Sequence, residues 1–229
     1  MQQLLSISND AKTVKGEKYG YRTHVLYLAP GDLSGNEVCF WRSEECFKAC
    51  LYLSGRGYMK TVQASRIAKT KRYFADKKQF INDLCEEIHK TSLSANKAGY
   101  IPVYRLDGTS DLGLAQKIAP KFKHLQFYDY TKNFKRKPKT NWHITYSFDG
   151  GNWQNCRRIL SNSKNVGSKL VGPCGNVAIV FKNKLPTHYR GWPVIDGDQS
   201  DLRFLDRKNS IVGLKIKGGI KSDIGKFFV

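Results

Sequence analysis

The sequence predicts an α/β fold, an incomplete (β/α) barrel of six or seven mostly parallel strands, in a single domain spanning residues 1–229. Three observations point there. Short apolar runs of strand length alternate with segments of helical spacing, the pattern of βαβ units. Polar residues follow the strands directly, as they do where parallel strand ends open on one rim. Three cysteines stand together just after the first strand. An open doubly wound sheet would also gather polar strand ends on one edge; a barrel is favoured because seven strands with short connections are more easily rolled than spread.

The elements follow in order. Residues 23–28 read as a strand closed by Ala29-Pro30-Gly31-Asp32, and the cysteine segment comes next. From Thr61 to about Phe74 the placing of Val62, Ser65, Ile67 and Tyr73 suits a helix with a basic outer face. Asp76 is a suitable N-cap for a second helix with Phe80, Ile81, Leu84, Cys85 and Ile88 on its buried stripe, ending at Asn96–Gly99. Strands are then expected at 101–106, 124–129, 142–147, 176–181, 192–195 and 210–215, with helical segments near 112–119 and 152–161. The polar residues after these strands include Asp107, Ser110, Asp111, Asp129, Lys132, Asp196, Asp198 and Lys215.

Composition narrows the class. A 40% hydrophobic fraction with 12 Phe, 12 Tyr and 4 Trp can build a large core. No apolar run approaches the length of a membrane span, so no membrane partner is expected. The first residues lack a charged region followed by an apolar one, which points to the cytoplasm, where six cysteines are expected to be free thiols or metal ligands. A net charge of +20 opposes compaction and calls for a polyanionic partner, nucleic acid above all, with DNA and RNA both open. The basic residues cluster. Arg66, Lys69 and Arg72 lie in one run; Lys135, Arg136 and Lys137 lie in another, interleaved with Tyr130, Phe134 and Trp142. Basic groups track phosphates and aromatic faces stack on bases.

The cysteines carry the sharpest chemistry. Cys39, Cys46 and Cys50 are spaced C-x6-C-x3-C, so Cys46 and Cys50 share a helix face and Cys39 folds back from the preceding loop. Three thiolates hold a four-iron, four-sulfur cluster with one iron open. Zinc is the rival, with Cys85, Cys156, Cys174 or a histidine as fourth ligand; three buried thiols without metal is the third possibility. Asp196, Asp198 and Asp201 put three carboxylates within six residues, as in metal-dependent nucleases, although Asp196-Gly197-Asp198 also reads as a turn and Asp201–Arg203 as a surface pair. Tyr128 with Lys132 resembles the nucleophile arrangement of rolling-circle initiators, which also need paired histidines that this chain lacks. No P-loop, G-x-S-x-G or H-E-x-x-H occurs.

The same stretches resemble the phage "gene product 88" domain family nearly end to end. The resemblance rests on Tyr27-Leu28-Ala29-Pro30 with Ser34-Gly35, Cys46-Phe47-Lys48-Ala49-Cys50-Leu51 with Gly55-Arg56-Gly57, and Arg105-Leu106-Asp107-Gly108-Thr109-Ser110-Asp111. It continues in Phe127-Tyr128-Asp129-Tyr130-Thr131-Lys132, Val194-Ile195-Asp196-Gly197-Asp198 and Val212-Gly213-Leu214-Lys215 with Lys217-Gly218. It implies a phage-encoded protein acting in host cytoplasm and supplies no known reaction. A three-cysteine loop after the first strand of an incomplete barrel also resembles radical SAM enzymes, whose usual spacing is the shorter C-x3-C-x2-C. That resemblance implies a [4Fe–4S] cluster on Cys39, Cys46 and Cys50 with S-adenosylmethionine as cofactor, and a pocket lined by Asp107, Ser110, Asp129, Lys132, Asp196 and Lys215, with Asp111 and Asp198 toward the cofactor. The alternatives are a non-catalytic nucleic-acid-binding protein with structural or zinc-bound cysteines and a metal-dependent nuclease.

Overall fold

A computed structural model describes residues 3–7, 11–50, 52, 54–162, 175–216 and 225–229. Its strands are β1 (Leu5–Ile7), β2 (Tyr21–Leu26), β3 (Ile101–Arg105), β4 (Gln126–Thr131), β5 (Trp142–Ser147), β6 (Val177–Phe181), β7 (His188–Tyr189), β8 (Trp192–Asp196) and β9 (Ile211–Lys215). They form one sheet in the order β1-β2-β3-β4-β5-β6-β9-β8-β7. Seven of them, β2 to β6 with β9 and β8, run parallel. These are the seven strands expected from the sequence. β1 and β7 are additional antiparallel strands at the two edges.

The sheet is open, and its order departs from a simple sequential barrel. β9 inserts between β6 and β8, and β1 and β7 do not pair with each other. The helices are α1 (Ala11–Glu17), α2 (Gly31–Ser34), α3 (Glu44–Lys48), α4 (Lys60–Ala75), α5 (Lys77–Lys97), α6 (Ala115–Ile118) and α7 (Trp153–Asn162). Asp76 caps α5 as expected, its carboxylate accepting Gln79 N at 2.9 Å.

Both main cores lie on one face of the sheet. Phe80, Leu84 and Ile88 of α5 pack with Leu26, Tyr104, Phe127, Trp142 and Ile144. Cys156, Ile159 and Leu160 of α7 pack with Tyr146, Val177, Ile179 and Ile211. Trp142, Ile144 and Tyr146 alternate along β5, so the two clusters share that face. The opposite face is covered by the chain around Leu202 and Phe204, which meets Val103 and Tyr128. No helix among the described residues is long and apolar enough to cross a membrane.

The expected basic outer face of α4 needs correction. Lys69 is buried and donates to the carbonyl of Leu4 at 2.8 Å. Arg66 donates to the Tyr52 carbonyl at 3.1 Å and stacks on Tyr27. Arg72 pairs with the buried Asp83. A helix laid over a sheet must bury one side, and these three cations lie on that side with partners that satisfy them. Lys71, Lys77 and Lys78 are the exposed members of the run.

Candidate functional site

The parallel register puts the C-terminal ends of β2, β3, β4 and β5 side by side, and the segments leaving them meet. After β3 the chain packs tightly on β2: Gly108 N donates to Leu26 O at 3.0 Å, and a β-carbon at Gly108 would stand 2.6 Å from Val25 Cγ1. Thr109 Oγ1 donates to Leu28 O at 2.6 Å, and Asp111 N to Val38 O at 2.8 Å, so the start of the cysteine segment is tied to the end of β3. Ser43 caps α3 by accepting Cys46 N at 3.1 Å and donates to the Asp149 carbonyl at 3.0 Å, anchoring that helix beyond β5.

Lys132, the first residue after β4, stands amid the thiols. Its ammonium lies within electrostatic reach of Cys46, Asp111 and Cys39; burial opposes its charge, but these neighbours together raise its pKa. Cys50 interacts with Cys46 and Lys132, and Cys39 with Cys50, Asp111 and Lys132. The three sequence-predicted cysteines thus share Lys132 as an electrostatic neighbour. Burial pushes the Cys39 thiol far above its ordinary range, with Asp111 and Cys50 adding to it and Lys132 opposing; burial also raises Cys50. Cys39 Sγ faces the Thr109 carbonyl at 3.9 Å.

Beneath the thiols lies a buried acid–base frame. Asp107 accepts Ser110 Oγ at 2.6 Å, Leu112 N at 3.0 Å and Gly113 N at 2.7 Å. Asp111 accepts Thr131 Oγ1 at 2.8 Å and Lys132 N at 2.9 Å. Its carboxyl is pushed up to about 6, by burial first, with Arg136 opposing. Arg136 is buried beside both carboxylates, which corrects its expected place on a basic surface; its neighbours Lys135 and Lys137 are exposed. Asp129 is fully buried, accepting Asp107 N at 2.8 Å and Trp142 Nε1 at 2.9 Å, with burial holding its pKa well above the ordinary value. It supports the frame from below.

The residues near β8 stand apart from this group. Asp196 accepts Asp198 N at 2.9 Å and Gln199 Nε2 at 3.0 Å, a turn, and Asp198 Oδ2 accepts Lys215 N at 3.0 Å. Asp201 is on the other face of the sheet, where it holds Arg105 at 2.9 Å and Tyr128 OH at 3.1 Å. The surface pair expected between Asp201 and Arg203 is also corrected: both are buried, and Arg203 pairs with Asp206 at 3.3 Å. Among the described residues no set of three or more His, Cys, Asp or Glu side chains has the spacing of a single metal ion's shell. Cys85 belongs to the α5 core, Cys156 donates to Asn152 Oδ1 at 3.5 Å, and Cys174, Lys217, Gly218 and Gly219 lie outside the described residues.

Two features escaped the sequence. The first is the buried network of Arg105, Tyr128 and Asp201, whose members are far apart in the chain. The second is a cleft of about 440 Å³ beside α3, lined by Ser43, Glu45, the Asp149–Asn152 turn and Lys226. Its only sequence signal is Gly150-Gly151 after β5.

No curated protein and no solved structure matches the chain. The gene product 88 family model matches residues 3–228, almost the whole sequence that builds this sheet and its cysteine-bearing rim, and the chain belongs to the gene product 88 family.

Proposed function

We propose that the rim of thiols is the seat of an iron–sulfur cluster in a radical-SAM-like protein that acts on nucleic acid or nucleotides. The observation that carries this reading is that Cys39, Cys46 and Cys50 all lie within electrostatic reach of Lys132, at the C-terminal edge of parallel strands. The donor set suits the group. Clusters take thiolates, and three of them leave an iron free. Zinc would need a fourth donor beside these three thiols to close a tetrahedral site. Cys39, Cys46 and Cys50 would hold the cluster, which would supply one-electron chemistry for S-adenosylmethionine.

The chain's own residues have separable tasks in this reading. Lys132 offsets the negative charge of the thiolates. Asp107 and Asp111 position the segment after β3 on which Cys39 rests, and Arg136 holds both carboxylates. Of the aromatics near the thiols, Phe40 and Trp41 are exposed, contrary to a shielding role expected from the sequence, while the buried Tyr52 adjoins Cys50. With α5 and α7 packed on one face, the sheet is also proposed to roll part-way into an incomplete barrel with the face that meets Leu202 inward.

Anaerobic reconstitution followed by iron and sulfide analysis and electron paramagnetic resonance tests the proposal. Iron should load on the wild type and on Cys85→Ala, and fail to load on Cys39→Ala, Cys46→Ala and Cys50→Ala. A wild type that takes up no iron sinks it. The second reading, a non-catalytic nucleic-acid-binding protein, is favoured by the charge of +20 and the exposed Lys135 and Lys137. It predicts strongly salt-dependent binding that survives all three cysteine replacements.

A further inference from the structure

We propose that the turn carrying Phe40 and Trp41 is a stacking platform for the bases of a single-stranded nucleic acid. Arg42 N donates to Cys39 O at 3.1 Å and closes a turn whose two central residues are Phe40 and Trp41. These rings are 66% and 48% exposed. Central turn positions ordinarily favour Pro, Asn, Asp or Gly, so local conformation does not account for two large aromatics there.

The base of the turn is built firmly. The Glu37 carboxylate accepts Val38 N at 2.9 Å and Cys39 N at 2.7 Å and pairs with Arg42 at 2.8 Å. Arg42 in turn lies 3.8 Å over the Phe47 ring. A fixed base under exposed rings keeps the entropy cost of stacking low. The turn begins at Cys39 itself, so a base on Phe40 or Trp41 would stand at the mouth of the thiol cluster.

The net charge of the chain and the neighbouring sequence select the partner. Leu33, Phe40, Trp41, Tyr58 and Met59 are five of the ten exposed large hydrophobic residues among those described, and all lie between 33 and 59. Exposed Arg56 and Lys60 flank Tyr58 and Met59. Exposed aromatic faces on a chain of charge +20 fit a strand with unpaired bases and a phosphate backbone. A duplex hides its base faces and gives the rings nothing to stack on. The inference rests on the reading of the rim as a site acting on nucleic acid, and it adds that the substrate is single-stranded.

The test is fluorescence anisotropy of the full chain with a short labelled oligothymidylate, and with a mixed-sequence duplex, over a salt series. The double variant Phe40→Ala, Trp41→Ala should bind the single strand about ten-fold more weakly or worse, from the lost stacking. Its salt slope should stay that of the wild type. Trp41→Phe should retain most of the affinity, and duplex affinity should be the same in all variants. Equal single-strand affinity in the double variant and wild type overturns the proposal. So does an equal loss on the duplex, or absence of any single-strand binding by the wild type at low salt. Iron loading is measured on the same samples: failure of the wild type to load iron strikes the cluster reading, whereas unchanged oligonucleotide affinity in the double variant strikes the platform.

Discussion

Arg136 Nη1 lies 2.9 Å from Asp111 Oδ1, and its Nη2 donates to the Asp111 carbonyl at 3.0 Å. One guanidinium thereby fixes both the side chain and the backbone of a residue that also receives Thr131 and Lys132 from the next strand. The chain makes room for it: Gly113 has φ +72°, and a β-carbon there would stand 2.6 Å from Arg136 Nη1. Removing one partner from a buried pair leaves a charge uncompensated, at about 3–5 kcal/mol. Arg136→Met should lower unfolding stability by about that amount in urea titrations. Gly113→Ala should also destabilise, through both strain and crowding. Lys135→Ala, one residue away and exposed, should leave stability unchanged.

Asp129 gives a second test, of support against catalysis. Its two oxygens accept two different donors, Asp107 N and Trp142 Nε1. Asparagine offers one acceptor and turns its amide N–H₂ toward the other donor. An unmet buried donor costs about 1–3 kcal/mol. Asp129→Asn should therefore show its deficit in thermal unfolding, and any oligonucleotide affinity measured below its melting range should stay near that of the wild type.

Much of this architecture could be read from residues in order. The seven parallel strands were visible because each is a short run of β-branched and aromatic residues ended by a polar block, and the α5 stripe because Phe80, Leu84 and Ile88 repeat every four residues. β1 was not, because three residues carry too little periodicity; Leu5–Ile7 is a strand through its pairing with β2, and its start is held by Lys69 and Glu87, more than sixty residues on. The insertion of β9 between β6 and β8 has no local signature either. At the site, the thiols and the Asp107–Asp111 block could be picked out by spacing. The inward turn of Arg66, Lys69, Arg72 and Arg136 could not, since a cation's burial depends on a partner the sequence does not place beside it.

The edge strand depends on those distant partners in a measurable way. Glu87 Oε1 and Oε2 accept Leu5 N and Leu4 N, each at 2.8 Å, and Lys69 Nζ donates to Leu4 O. A strand of three residues paired on one side has little else to hold its start. Glu87→Ala should speed amide hydrogen exchange at Leu4 and Leu5 while leaving β3 to β5 protected, because local opening follows local contacts. Equal exchange rates in the variant and wild type would show that the pairing with β2 suffices.

His24 sets part of the acid sensitivity. Its ring is buried, lies 5.0 Å from the Tyr104 ring in a stacked arrangement, and has no hydrogen-bond partner at either nitrogen. Burial first, and then the charge of Arg22, push its pKa down to about 4. A base with a lowered folded-state pKa binds its proton more readily when unfolded, so its contribution is fully present above the unfolded value of about 6.5 and is lost as pH falls toward 4. Asp111 and Asp206, each raised to about 6, act in the opposite direction over much of the same window: an acid raised by burial loses stability as pH rises from its unfolded value through 6. The net pH profile of the wild type therefore mixes both signs, and the difference between two proteins isolates one. His24→Phe keeps an aromatic ring against Tyr104 and removes the titrating group. Relative to the wild type it should gain stability progressively as pH falls from 6.5 to 4, with no change in the difference above pH 7. Parallel stability curves for the two proteins across that range would mean that His24 is protonated without penalty in the folded chain.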